Sequence, residues 1–93
     1  MSSKEDFYIK LKDSLDATTK FPSEYLYKFI VPSKGNHFME VEDIFKDKLI
    51  KISSKESKTG KYVSVSIKIM LSSSDEVISY YRKAEKIEGI ISL

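Results

Sequence analysis

Cysteine is absent from this 93-residue chain, which excludes disulfide frameworks, thiolate metal sites, iron–sulfur clusters and cysteine nucleophiles. Histidine occurs once, at His37, and arginine once, at Arg82, so fifteen of the sixteen basic residues are lysine. Neither charge sign dominates. Sixteen bases against fourteen acids leave +2, a balance that demands neither nucleic acid nor an anionic membrane. No apolar run approaches the roughly 20 residues of a membrane span. The opening Met1-Ser2-Ser3-Lys4-Glu5-Asp6 lacks a signal-peptide core, so the expected setting is cytoplasmic. What is present is a 41% hydrophobic and 12% aromatic composition, enough for one globular core and too short for two.

The first segment mixes Glu5, Asp6, Asp13 and Asp16 with Lys4, Lys10 and Lys12, while Phe7, Leu11 and Leu15 recur every four residues beside Tyr8. This predicts a short amphipathic helix that needs a surface to lie on. A linker follows at Ala17–Lys20, and Phe21-Pro22 enters a strand over Glu24–Val31, closed by Pro32. Its alternation puts Tyr25, Tyr27, Phe29 and Val31 on one face and Leu26, Lys28 and Ile30 on the other. Ser33-Lys34-Gly35-Asn36 reads as a turn, with Ser33 or Asn36 suited to cap the next helix. That helix carries Phe38, Val41, Ile44 and Phe45 at helical spacing, with Leu49 as a fifth candidate and Glu42–Lys46 as a favourable pair.

Ile50 and Ile52 open a lysine-rich strand with the character of a sheet edge. Ser57–Lys61 is a hairpin turn in which Gly60 can take positive φ. The strongest strand is Tyr62–Leu71, where Val63, Val65, Ile67, Ile69 and Leu71 alternate with Tyr62, Ser64, Ser66, Lys68 and Met70. Ser73 and Glu76 form a capping box for a helix with Val77, Ile78, Tyr81 and Ala84 on one side. Gly89 ends it before a terminal strand, Gly89–Leu93.

These elements predict an α+β, ferredoxin-like βαββαβ sandwich, with a four-stranded antiparallel sheet in the order 4-1-3-2. Two helices lie on one face, and a short N-terminal helix precedes the whole. Residues 1–20 are assigned to the helix and linker and residues 21–93 to the ferredoxin-like domain. The opposite sheet face would present Leu26, Lys28, Ile30, Tyr62, Ser64 and Ser66, too apolar to stay bare. Its expected cover is the N-terminal helix first, then a partner subunit or a ligand.

Phe21-Pro22, Tyr27-Lys28-Phe29, the run from Ser57 to Val65, and Tyr80-Tyr81 before an apolar terminal strand resemble the YbeD-like family of small bacterial proteins. The most specific part is Ser-Lys-x-Gly-x-Tyr-x-Ser, here Ser57, Lys58, Gly60, Tyr62 and Ser64. The resemblance runs from Phe21 to Leu93. It implies a ferredoxin-like fold similar to ACT regulatory domains, which bind amino acids or related effectors and often pair through their sheets. The family has no established activity, and fold does not fix function.

Two regions are candidate sites. Backbone N–H groups at the start of a helix attract carboxylates and phosphates, so Ser33, Lys34, Gly35 and Asn36 are a candidate ligand site. The competing reading is a well-capped helix beside a solvated lysine. Leu26, Lys28, Ile30, Lys58, Lys61, Tyr62 and Ser64 form a candidate interaction surface, with Lys51, Lys55 and Lys68 adding positive charge. An RNA-binding reading lacks the alternating aromatics of the third strand, and lysines on an edge hairpin also serve simply to block aggregation.

A phosphate loop at Lys55–Lys61 lacks its first glycine and a following helix. His37 has only Glu40 near it as a fellow metal ligand, and an acylphosphatase would need Arg82 beside Asn36. No cofactor, metal or catalytic residue is therefore expected. The expectation is a non-enzymatic regulatory or binding module for a small anionic or amino-acid-type effector, a protein partner or a second copy of the chain. The alternative is a nucleic-acid-associated domain using the lysine hairpin and sheet face; a membrane role is not expected.

Overall fold

The computed structural model describes residues 4–93. The alternating segments become three long strands and a short one, β1 (Ser23–Pro32), β2 (Ile50–Glu56), β3 (Tyr62–Leu71) and β4 (Ile91–Ser92). Between and before them lie α1 (Lys4–Thr18), α2 (His37–Ile44) and α3 (Ser74–Ala84). All pairings are antiparallel and the sheet order is β2-β3-β1-β4, the ferredoxin-like arrangement expected from the element order.

Period-two alternation decides which face is covered. Tyr27, Phe29 and Val31 of β1 and Val65, Ile67, Ile69 and Leu71 of β3 are buried, and Val41, Phe45, Val77, Tyr80 and Ala84 close over them. The Tyr27 ring sits among Tyr25, Phe29, Phe45, Tyr80 and Tyr81, and its hydroxyl donates to the Val77 carbonyl at 2.7 Å. A buried phenol thus satisfies its polar end on a helix while its ring fills the core.

Ser73 caps α3 as expected, but Glu76 reaches back to the amide before the N-cap rather than to that of the N-cap itself. Ser73 Oγ accepts from the Glu76 amide at 3.1 Å, and Glu76 Oε1 accepts from the Ser72 amide at 2.7 Å. Ser73→Ala is expected to lower the unfolding free energy by about 1 kcal/mol, read as a shifted urea midpoint at unchanged slope. A variant as stable as the parent would show that α3 is held by its packing alone.

Four local expectations need correction. In α1 it is Tyr8 that is buried, while Phe7 is 59% exposed. In α3 Tyr80 is more deeply buried than Tyr81. The helix α2 stops at Ile44, where the Phe45 amide donates to the Glu42 carbonyl and tightens the last turn. Leu49 therefore leaves the helical phase and is 98% exposed, and Lys46 pairs with Asp43 at 3.9 Å rather than with Glu42. Finally, Asn36 is the N-cap of α2 but its side chain makes no capping hydrogen bond.

The largest difference concerns the open sheet face. Instead of crossing it, α1 lies against α3, tied by Arg82 to Glu5 at 2.6 and 2.9 Å, Tyr8 to Glu85 at 2.6 Å and Lys12 to Asp75 at 3.0 Å. The polar side chains of α1 find their complements on α3. The lysine-bearing sheet face offers the acids of α1 many partners but its lysines only one, Glu24.

Candidate functional site: the open sheet face

The register defines this face row by row. Leu26 of β1 stands opposite Lys68 of β3, which stands opposite Lys51 of β2. The next row is Lys28, Ser66 and Ser53, and the one after is Ile91, Ile30, Ser64 and Lys55 across all four strands. Pro32 and Tyr62 end the series. The face is therefore graded, apolar where β1 meets β4 and basic where β3 meets β2. Leu26 is 44% exposed, Tyr62 47% and Ile91 50%.

Charge on this face is unbalanced. The strands and hairpin over 23–32 and 50–71 carry six lysines and two glutamates. Among the described residues, none of Lys28, Lys51, Lys55, Lys58, Lys61 and Lys68 is in an ion pair; the pairs found lie on α1, α3 and the α2 end. Lys51 and Lys68 stand directly opposite each other, an arrangement in which like charges destabilise a sheet. A shallow depression of about 280 Å³ lies two rows further on, at the hairpin end, lined by Ile30, Lys55, Lys58, Tyr62 and Ser64 among others.

The two candidate regions meet at one end of the molecule. The Ser33 amide donates to the Lys61 carbonyl at 2.9 Å and the Ser33 hydroxyl donates to the Gly60 carbonyl, stitching the Ser33–Asn36 turn to the hairpin. Gly60 has φ +72, and the turn closes with Gly60 N–H donating to Ser57 O at 3.0 Å. At Gly35, φ is +89 and the His37 ring folds back so closely that an added Cβ would meet it at 3.3 Å. His37 Nδ1 lies 3.0 Å from the Lys34 carbonyl. Ser33 is thus engaged with the hairpin and the Lys34 carbonyl with the His37 ring. Lys34 projects outward.

Leu26, Lys28, Ile30, Tyr62 and Ser64 share the open face, with Lys58 and Lys61 at its hairpin end. Sequence reasoning missed Ile91, and it missed the opposition of Lys51 to Lys68. The latter was available by counting back along both strands from the Ser57–Tyr62 pair, whose backbone bond is 2.8 Å. Arg82 is not near Asn36; its guanidinium is held on Glu5 and stacks over the Tyr8 ring at 4.6 Å. That contact keeps the Glu5 carboxyl below its ordinary range. Among the described residues no group of three or more His, Asp or Glu is placed to hold a metal ion, and no helix is long and apolar enough to cross a membrane.

A small antiparallel sheet backed by two helices, with an open and basic face, defines a ferredoxin-like α+β domain. Residues 16–93 match the family of proteins of unknown function DUF493, the YbeD family, and the chain belongs to it. The match begins five residues before Phe21, inside the last turn of α1. The fold is also similar to the solution structure of protein HP0495 from H. pylori, with a TM-score of 0.65 and 20% identity over 82% of this chain and 86% of that one. No curated protein matches the chain.

Proposed function

We propose that the protein is a non-enzymatic, ACT-like regulatory or binding module of the cytoplasm that docks an acidic protein partner on its open sheet face. The observation that carries this reading is the unpaired Lys51–Lys68 opposition beside the exposed Leu26, with the half-buried Ile30 and the exposed Ile91 two rows along. Carboxylates from a partner relieve the repulsion, and apolar side chains of the same partner cover the leucine and isoleucines. The non-enzymatic part rests on how the reactive groups are engaged: Arg82 on Glu5, Ser33 on Gly60 and His37 on Lys34.

An amide NMR map tests this with three probes: a glutamate- and leucine-containing peptide, a single-stranded oligonucleotide and a pooled metabolite extract. The expected result is shifts at Leu26, Lys28, Ile30, Tyr62 and Ser64 with the peptide, retained in part at raised salt because apolar burial is not screened. Leu26→Asp is expected to abolish those shifts with little change in thermal stability, since Leu26 contributes no core contact. Stronger oligonucleotide shifts that vanish as salt rises would replace the reading with a nucleic-acid one. Shifts confined to Ser33–Asn36 with the extract would replace it with an effector site.

A further inference from the structure

The contact between α1 and α3 differs in kind from the rest of the interior. Its polar part is ionic: Glu5–Arg82, Lys12–Asp75 and Lys4–Glu85 at 3.9 Å, with the Ser74 hydroxyl donating to Asp16 at 2.6 Å, while Leu15 packs half-buried against the edge of the core. Its one buried aromatic is Tyr8. Exposed ion pairs of this type contribute little each and are screened by salt. The family match begins at Asp16, so residues 4–15, which do the covering, lie outside the matched segment. α1 leaves open space around its buried anchor Tyr8. A groove of about 560 Å³ runs beside Tyr8, lined by Phe7, Tyr81, Ile87, Ile90 and Leu93, and a second cleft of about 230 Å³ opens on the other side of Tyr8 over Ile78.

We infer that the α3 face is a helix-docking site in which α1 is an exchangeable resident, and that its partner is an amphipathic helix of another protein. The chemistry of that helix is read from the seat. An acid meets Arg82, an aromatic three residues later fills the place of Tyr8, and a base four residues further on meets Asp75. An apolar residue at the place of Lys4 reaches into the larger groove, which α1 leaves unfilled. The unfilled groove also argues against α1 of a second copy, because an identical helix would leave the same space empty. While tethered, α1 competes at an effective concentration on the order of millimolar, so the site is masked until α1 is loosened or outcompeted.

The test uses the full chain and labelled peptides of residues 4–19. Tyr8→Ala, which removes the resident's anchor, is expected to bind the peptide at least about tenfold more tightly than the parent. A Lys4→Leu peptide is expected to bind about fivefold more tightly than the unmodified one, through apolar burial in the groove. Amide shifts should fall on α3 and residues 87–90. Adding Arg82→Glu to the Tyr8→Ala protein should abolish binding, and a Glu5→Arg peptide should restore it. Glu5→Arg in the full chain is the second loosening variant if Tyr8→Ala does not fold. The proposal is overturned if neither folded variant takes up the peptide, if the shifts fall on the sheet, or if both variants unfold. Dimerisation of the loosened protein by mutual exchange of α1 would overturn the assignment to another protein.

Discussion

Tyr27→Ala is expected to lower the unfolding free energy by about 3–5 kcal/mol, the range for emptying a buried aromatic site. Domains of this size have only about 5–15 kcal/mol in total, so the variant should be close to unfolding at room temperature. The position justifies the upper part of that range. Tyr27 is 0% exposed, and its ring lies 4.8 Å from Tyr25 and from Tyr81 and 5.3 Å from Phe45. Removing it leaves a void between β1, α2 and α3 that several other large rings border. Tyr27→Phe keeps the ring and loses the 2.7 Å hydrogen bond to Val77, for an expected cost of about 1 kcal/mol. Urea denaturation followed by circular dichroism separates the two. An alanine variant as stable as the phenylalanine one would remove Tyr27 from the centre of the core.

Raising pH should destabilise the protein steeply above about 10, where tyrosines of ordinary pKa ionise. Burial pushes the Tyr27, Tyr80 and Tyr81 hydroxyls upward, and for Tyr81 the hydrogen bond with Tyr25 adds to it. Tyr8 is pushed up to about 12, first by burial and then by its bond to Glu85. In the unfolded chain these phenols lose their protons first, so the folded state binds more protons and stability falls as pH rises. The contribution is complete below about 10 and, for Tyr8, is lost as pH passes through about 12. Urea midpoints from pH 8 to 12, read beside tyrosinate absorbance, should stay level and then drop together. Tyr27→Phe should flatten part of the drop, which separates phenol ionisation from lysine neutralisation in the same range. A parent and variant with parallel profiles would contradict this account.

The strands were legible because one face of the sheet is buried and a period of two leaves a clear record in β1 and β3. The hairpin was legible for a related reason: Gly60 and its neighbours specify a turn locally, and the register of β2 against β3 follows from it. Helix faces were harder to read. In α1 the stripes through Phe7 and through Tyr8 both repeat at helical spacing, and only the position of Arg82 and Glu85 on α3 selects Tyr8. In α3 Tyr80 and Tyr81 are adjacent, and the place of Phe45, stacked on Tyr80 at 4.7 Å, decides which goes deeper.

The amino-acid sequence by itself determined the order of elements, the buried face of β1 and β3, the cap of α3 and the lysine-rich edge. Each of these depends on residues within a few positions of one another, where backbone geometry and alternation act directly. Only the tertiary structure decided that α1 lies on α3, that Lys51 faces Lys68 beside Leu26, and that the Ser33–Asn36 turn is bonded to the hairpin. These depend on pairings across the chain: Glu5 with Arg82 spans 77 positions and Ser33 with Gly60 spans 27. Such long-range pairings are chosen by competition among all available surfaces. The helix settles where its charges are met, and the sheet face keeps its lysines unpaired.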